Sequence, residues 1–398
     1  MPMDGAYDLN LRHLRMLSII AENGSLSAAA KAASISQPAL TQALAKLELA
    51  FGTALFDRTA AGVIPTASGR RVLQRVERAL RSFAQACRRC ARNTPAGQFE
   101  NYLTTTHVRG LMALAEAGSF LRAADEAGVS VPSLHRAVRD LEKVSGTALV
   151  ERRGRGVGLT RAGAKLARGF TIAVTELGAA IEETIDGGGR LSIGAMALSR
   201  SQLLPATLAE LLRERPDIRV DVIEGSYLEL VELLRSGRID ILIGALRDAP
   251  GRDLLQEPLF TDRLTIIGRA EHPLAGTFAG FDQLAEHSWI VARRASGLLD
   301  RWQQMFDRSN KARPEAPIQC GSVALIRGLL LRTDFLTLLS TDQVRSEIEA
   351  GTLVRIESEV PDTMRTIGAI TRRDWFPTKL QEAFMVALRR TGREAIHG

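Results

Sequence analysis

Shifting this sequence by 94 positions lays residues 13–69 over 107–163 without a gap, and about 25 of the 57 paired positions are identical. A repeat of that length is a duplicated domain, and it constrains the fold more than any bulk property. The shared frame includes His13 and His107, Gly24-Ser25 and Gly118-Ser119, Leu47-Glu48 and Leu141-Glu142, the tetrapeptide GTAL at 52 and 146, and Arg58 with Arg152. Solenoids need three or more units to bury a continuous core, so two copies predict two independent small domains.

Each copy carries the pattern of a helix-turn-helix. In the first, Leu14, Leu17 and Ile20 mark one helix, Leu26 to Ala33 is a short alanine-rich second, and Ser34-Ile35-Ser36 turns into a third. Ser36 suits the N-cap, and Pro38 falls in the first turn, where its missing N–H leaves no donor unsatisfied. Leu40, Leu44 and Leu47 share one face, which leaves Gln37, Thr41 and Gln42 on the other. In the second copy Ser130 takes the cap, Leu134, Val138 and Leu141 point inward, and Ser133, His135, Arg136 and Arg139 point out. Each third helix runs into a β-hairpin wing, FDRTAAGVIPT and VERRGRGVGLT, carrying Arg58 and then Arg152, Arg153 and Arg155. Arginine at a glycine-rich tip suits phosphate or minor-groove contact, whereas Gln and Arg on the third helix reach base edges in the major groove.

Charge agrees with a polyanionic partner for this half. Residues 1–186 hold about 24 Lys and Arg against 17 Asp and Glu, while residues 187–398 hold about 28 against 28. No apolar run reaches the roughly 18 residues of a membrane span, and the acidic start MPMDGAYDLN lacks a secretion signal, so a cytoplasmic protein without a membrane partner is expected. Cys87, Cys90 and Cys320 make no disulfide framework. Cys87-x-x-Cys90 is half a zinc site with no second pair, so no metal or other cofactor is expected.

Between the copies, RRVLQRVERALRSFAQACRRCARN reads as a helix with Val72, Val76, Ala79 and Phe83 on one stripe, ending near Thr94-Pro95-Ala96-Gly97. A second such helix runs from Arg161 to about Ile185 and closes on the hinge Gly187-Gly188-Gly189. Beyond it the pattern becomes α/β. LSIGA, IRVDVIEG and IDILIGAL are short strands alternating with the helical stretches LLPATLAELLRER and YLELVELLRSG, which predicts a parallel sheet with crossover helices. EPLFTDRLTIIG crosses into a second lobe containing HSWIVARR, DFLTLLS and TLVRIES, and TIGAITRR returns to the first. A cleft between two such lobes is where a ligand would sit.

The stretch LRHLRMLSIIAENGSLSAAAKAASISQPALTQALAKLELAFGTALFDRT resembles the winged helix-turn-helix of the LysR-type transcriptional regulators. The second copy is similar but looser, with Val131 where the family usually writes glutamine; valine gives up a bidentate partner for adenine. The C-terminal portion is similar to the family's periplasmic-binding-protein-like effector domain. The implied layout is a winged domain at 8–69, a linker helix at 70–97, a second winged domain at 104–163, a second linker and hinge at 164–189, and an effector domain at 190–390. Its first lobe takes about 190–262 and 366–390, its second about 263–365. The resemblance implies a regulator that binds double-stranded DNA at promoters, contacts RNA polymerase when activating, and is switched by a small-molecule effector. It also implies a homo-oligomer, dimer or tetramer, held by the effector domains and by linker helices that pair two subunits antiparallel. Carried over by position, the effector pocket would take the loop 197–202 with Ser199 and Ser201, then Ser226, Leu246, Trp289, Arg293, Arg294 and Ser296. The wording around EGSYLELVELLRSG most resembles a branch responding to sugars or to aromatic and other organic acids.

Two other classes compete with this reading. An enzyme would need reactive groups in a working arrangement. The six histidines fall in no H-E-x-x-H spacing, no G-x-S-x-G elbow or Walker loop occurs, and Gly154-Arg-Gly-Val-Gly158 sits in a wing rather than between strand and helix. An architectural DNA binder, with the C-terminal portion a dimerisation scaffold that senses nothing, stays open. So does the possibility that the second copy is a spacer rather than a reader of DNA.

Overall fold

The computed structural model describes residues 4–59, 62–91, 98–154, 156–184, 188–293, 297–310, 312–358 and 364–394. The chain divides into two compact units, residues 1–190 with 235–238, and residues 191–234 with 239–398.

The first unit begins with Asp4–Asp8 (α1), Leu11–Asn23 (α2), Leu26–Ala32 (α3) and Gln37–Phe51 (α4). A hairpin of Phe56–Thr59 (β1) and Gly62–Pro65 (β2) follows, then the long helix Ala67–Cys90 (α5). After Gln98–Tyr102 (α6) the order repeats as Thr105–Ala117 (α7), Phe120–Glu126 (α8), Val131–Ser145 (α9), the hairpin Val150–Arg153 (β3) and Gly156–Leu159 (β4), and the long helix Arg161–Glu182 (α10). Three helices and a hairpin therefore occur twice. Ser25, Ser36 and Thr66 cap α3, α4 and α5, and their counterparts Ser119, Ser130 and Thr160 cap α8, α9 and α10, each oxygen accepting a backbone N–H of the first turn.

Several identical positions of the repeat are explained by how the wing is fastened. Val63 N–H donates to the Gly24 carbonyl at 2.8 Å, and Val157 N–H to Gly118 at 3.0 Å, so each wing is tied to the turn between the first two helices of its copy. A Cβ on Gly62 would lie 2.3 Å from the Gly24 oxygen, and one on Gly69 or Gly163 would lie 1.9 or 2.1 Å from the carbonyl of Leu55 or Leu149. Only glycine permits those approaches. The Glu48 carboxylate accepts Leu55 N–H at 2.8 Å, and Glu142 accepts Leu149 N–H at 2.8 Å, which ties the third helix to the wing.

The long helices lie antiparallel against each other. Phe83 meets Phe170 edge to face at 5.5 Å between centroids, and a Cβ on Gly169 would fall 2.3 Å from that of Ala86. Nearer the start of α5, the buried Arg75 reaches Glu176 at 3.0 Å and Glu183 at 3.2 Å, and Arg78 reaches Glu176 at 3.0 Å. Two expectations change here. The stripe Val72, Val76, Ala79 and Phe83 is covered by α10 of the same chain, not by a second subunit. Nor are the copies independent: one apolar cluster runs from Leu14 and Leu40 through Val76 and Phe83 to Leu111, Leu141 and Phe170, because the paired long helices carry a core face for each copy. The glycine segment at 94–97 lies outside the described residues, as does Gly187 of the second hinge.

In the second unit, Arg190–Ala195 (β5), Leu203–Glu214 (α11), Arg219–Glu224 (β6), Tyr227–Ser236 (α12) and Ile241–Ala245 (β7) form the first lobe. The sixteen-residue strand Leu254–Arg269 (β8) leads out of it. The second lobe takes Phe278–Ala279 (β9), Phe281–Ala285 (α13), Trp289–Val291 (β10), Gly297–Arg308 (α14), Ile318–Gln319 (β11), Val323–Leu330 (α15), Leu336–Ser340 (β12), Arg345–Glu349 (α16) and Leu353–Ser358 (β13). Met364–Arg372 (β14) returns and Lys379–Glu394 (α17) closes the first lobe. β5 runs parallel to β7, and β10 parallel to β11 and β12, as crossover helices require. The sheet is nevertheless mixed rather than parallel throughout, since β14 is antiparallel to β7 and β8, and β8 is antiparallel to β12 and β13. The change of lobe lies between Arg263, which pairs Met364, and Leu264, which pairs Ser340.

Candidate functional site

The first candidate surface is the outward face of α4. Ser36 spends its oxygen on Ala39 N–H at 3.3 Å, which fixes where the helix starts. Leu40, Ala43, Leu44 and Leu47 are buried, and that turns Gln37, Pro38 and Gln42 to solvent. Thr41 is half-buried and its hydroxyl donates to the Gln37 carbonyl at 3.0 Å, so it braces the turn more than it projects. Lys46, one turn beyond Gln42 on the same exposed strip, also belongs to this surface, as its i, i+4 spacing from Gln42 requires. Arg58 stands exposed on β1, opposite Val63.

The second copy presents the same frame with different chemistry. Ser130 caps α9, and Ser133, exposed, sits 2.8 Å from the Ser130 hydroxyl. Arg136 and Arg139 are exposed where the first copy has Gln42 and Ala45. His135 does not point freely outward. Its ring is half-buried and stacks on Phe120 at 3.7 Å, because Phe120 replaces the smaller Leu26 of the first copy and offers a flat face. Arg152 is exposed; Arg153 holds Glu151 at 2.8 Å and donates to the Leu159 carbonyl, so its charge is partly answered. Arg155 lies outside the described residues.

In the second unit the expected effector residues separate. Trp289 is a core residue, fully buried between Trp302 and Phe306 with its indole N–H donated to the Leu284 carbonyl at 3.0 Å. As the first residue of a buried central strand it lies inside the lobe, not on the cleft. Ser199 is buried and its hydroxyl is spent on the Met196 carbonyl at 2.8 Å, while Leu246 packs on Gly368 beside the α12 cluster. Ser201 is half-buried. At the start of α12 the Ser226 backbone N–H donates to Glu229 at 2.8 Å and its hydroxyl at 2.7 Å, and those two bonds, with the exposed Arg293 of the second lobe nearby, hold the Glu229 carboxyl below its ordinary range. Arg294 and Ser296 lie outside the described residues.

Three guanidinium groups from separate segments gather at the lobe junction. Arg365 is paired with Asp262 at 2.6 Å, and Asp262 also accepts the Ser340 hydroxyl at 2.6 Å. Burial lowers the Arg365 pKa, Asp262 opposes that, and the like charges of Arg301 and Arg247 add to the lowering. One Arg365 nitrogen, Nη2, is buried without a hydrogen-bond partner. Arg301 donates to the Met364 carbonyl, and Arg247 lies over the Tyr227 ring at 4.9 Å and against Gly297 at the start of α14. Each arginine comes from a different part of the chain, so no local pattern announces the set.

Comparison with known proteins agrees with this architecture. The family description "LysR substrate binding domain" matches residues 186–393, and "Bacterial regulatory helix-turn-helix protein, lysR family" matches residues 11–70 and again 105–164. The chain belongs to the LysR family of bacterial regulators. It is 29% identical over 389 residues to the HTH-type transcriptional regulator GalR of Pseudomonas putida, covering 96% of each chain. It is 28% identical over 301 residues to PcaQ of Agrobacterium fabrum, which covers 73% of this chain and 96% of that regulator. Among solved structures, a full-length OxyR from Pseudomonas aeruginosa, in a variant with one cysteine changed to aspartate, is similar in fold with a TM-score of 0.57 at 23% identity, covering 73% of this chain and 95% of that one. CbnR is similar at 0.51 and 19%, covering 72% and 98%. Among the described residues no helix is long and apolar enough to cross a membrane.

Proposed function

We propose that this chain is a transcription regulator with two DNA-reading winged heads, residues 8–69 and 104–163, carried on one internally paired set of linker helices at 70–97 and 164–189. The observation that carries the reading is the way the two copies diverge. Positions that fasten wing to helix are kept, namely Glu48 and Glu142, Gly62 and Gly156, Gly69 and Gly163. The outward face changes from Gln42 and Ala45 to Arg136 and Arg139, and Gln37 gives way to Val131. Gln prefers adenine and Arg prefers guanine in the major groove, so the heads recognise different half-sites and the operator is not a palindrome. A spacer would have no reason to gain exposed Arg136 and Arg139 on the face that meets DNA. Selection of bound duplexes from a random-sequence pool tests this: two unlike half-sites at fixed spacing support it, and one half-site with random flanks defeats it.

The residues 190–390 act as the effector domain. An acid fits the Arg247, Arg301 and Arg365 junction better than a neutral sugar does, because a carboxylate answers both the unspent Arg365 donor and the like-charge repulsion. Closure of the lobes on the anion alters how effector domains of neighbouring chains pack, and thereby DNA affinity or contact with RNA polymerase. Homo-oligomers then form through the effector domains. Calorimetric titration with a panel of aromatic and aliphatic acids and neutral sugars checks the class. Heat with an acid that disappears in Arg301→Ala supports it, and binding confined to neutral sugars overturns it. A chain that binds DNA with no response to any metabolite favours the architectural alternative.

A further inference from the structure

The buried charges between the two long helices are distributed one sign to each helix. α5 contributes the buried Arg75 with the half-buried Arg71 and Arg78 beside it, and α10 contributes Glu176, with Glu183 at its C-cap. Side-chain exposure is 2% for Arg75, 8% for Glu176 and 6% for Glu183, so these groups are answered by each other rather than by water. A buried ion pair of this kind adds little net stability over a well-packed apolar pair, but leaving one member without the other is costly. The arrangement therefore discriminates between partners more than it stabilises any one of them.

We propose that these charges are a pairing code that lets α5 bind α10 and forbids α5 from binding a second α5. An α5 facing its own copy finds no carboxylate for Arg75 in any register, since Glu77 is the single acidic residue within Ala67–Cys90 and it is exposed on another face. An α10 facing its own copy has the converse difficulty. Glu176 and Glu183 would be buried, while Arg161, Lys165 and Arg168 stand exposed off the seam. The rest of the seam has no such preference. Val72, Val76, Ala79 and Phe83 on one side, and Ala173, Phe170 and Leu166 on the other, are apolar surfaces that would accept either helix. Duplication by itself leaves two like helices that can pair with themselves or each other, and the opposite charges resolve that choice. The head-bearing unit is accordingly closed within one chain, and association of chains has to use other surfaces. This inference stands apart from whether either head contacts DNA.

The test uses the full chain with Cys320→Ser, since Cys87 and Cys90 are buried, and a nitroxide on Glu77→Cys near the middle of α5. One label per chain reports α5 meeting α5, because packed helix axes lie about 8–10 Å apart and such proximity broadens the spectrum. The expected spectrum of this otherwise unaltered chain is unbroadened at high protein concentration. Arg75→Met or Glu176→Met alone should lower the unfolding temperature, and the two together should regain most of the loss while broadening appears, as the uncoded seam accepts a second α5. Broadening without the seam substitutions overturns the proposal. So does a folded double variant with no broadening, which would assign the choice to tethering alone, and so does a loss in the double variant that is simply the sum of the single losses.

Discussion

Leu55 N–H donates to the Glu48 carboxylate across 2.8 Å, and the same carboxylate reaches Phe56 N–H at 3.4 Å. The first strand of the wing is thus hung from α4, and Glu142 repeats the arrangement with Leu149 and Val150. Any rotation of the third helix is passed to the wing arginine.

Glu48→Ala should cost about 1–3 kcal/mol by leaving two backbone donors of a half-buried turn unanswered. Glu48→Gln, which keeps one acceptor, should cost less. Urea unfolding of the two variants measures both. DNA affinity should fall in Glu48→Ala at protein concentrations and denaturant-free conditions where the chain remains folded, because Arg58 loses its fixed distance from Gln42.

Gly169 marks the closest approach of α5 and α10. A side chain there meets Ala86 at 2.3 Å, inside contact distance, so Gly169→Ala should lower stability by roughly 1–3 kcal/mol through overpacking. Ala86→Gly in that background should return part of the loss. Equal stability of Gly169→Ala and the unaltered chain in thermal unfolding would mean that the helices are not held at this distance.

Acid should weaken the first unit through His107. Burial holds its pKa below the ordinary value of 6.5, with Asp140 opposing, while its Nδ1 accepts Thr104 N–H at 3.2 Å. The unfolded chain therefore takes up a proton first as pH falls. This part of the stability is fully present above pH 6.5 and is lost as pH drops below that value toward the lower folded pKa. His107→Gln keeps an acceptor without titrating, so its unfolding free energy should depend less on pH between about 7 and 5. Parallel denaturation series at several pH values give the comparison.

Gln37→Ala should relax base preference by about 1–3 kcal/mol at one position, whereas Arg58→Ala should weaken every sequence alike and reduce the salt dependence of binding. Competition binding with point-mutated duplexes separates the two effects.

What the sequence discloses depends on the range of the interaction. The caps at Ser36 and Ser130, the inward leucines of α4 and the alternation of strands in the second unit are local or periodic, and they are legible from residue order. Partners that meet through space are not. Phe120 stacks on His135 from another helix, and Trp289 fills a core between residues of α14. Arg247, Arg301 and Arg365 come together only once the lobes are built. The apolar stripe of α5 is legible as a seam, but an apolar stripe cannot say which chain covers it; the buried Arg75 opposite Glu176 and Glu183 carries that information.

The claim that both copies read DNA is tested most directly by footprinting on a duplex selected by the unaltered chain. Deleting one copy is a poor instrument, because the copies share a core; Arg136→Ala with Arg139→Ala alters only exposed side chains. The expected result is loss of protection and of base preference over one half-site, with the half-site read by Gln37 and Gln42 still protected. A footprint and sequence preference unchanged across both halves would contradict it and make the second copy a spacer.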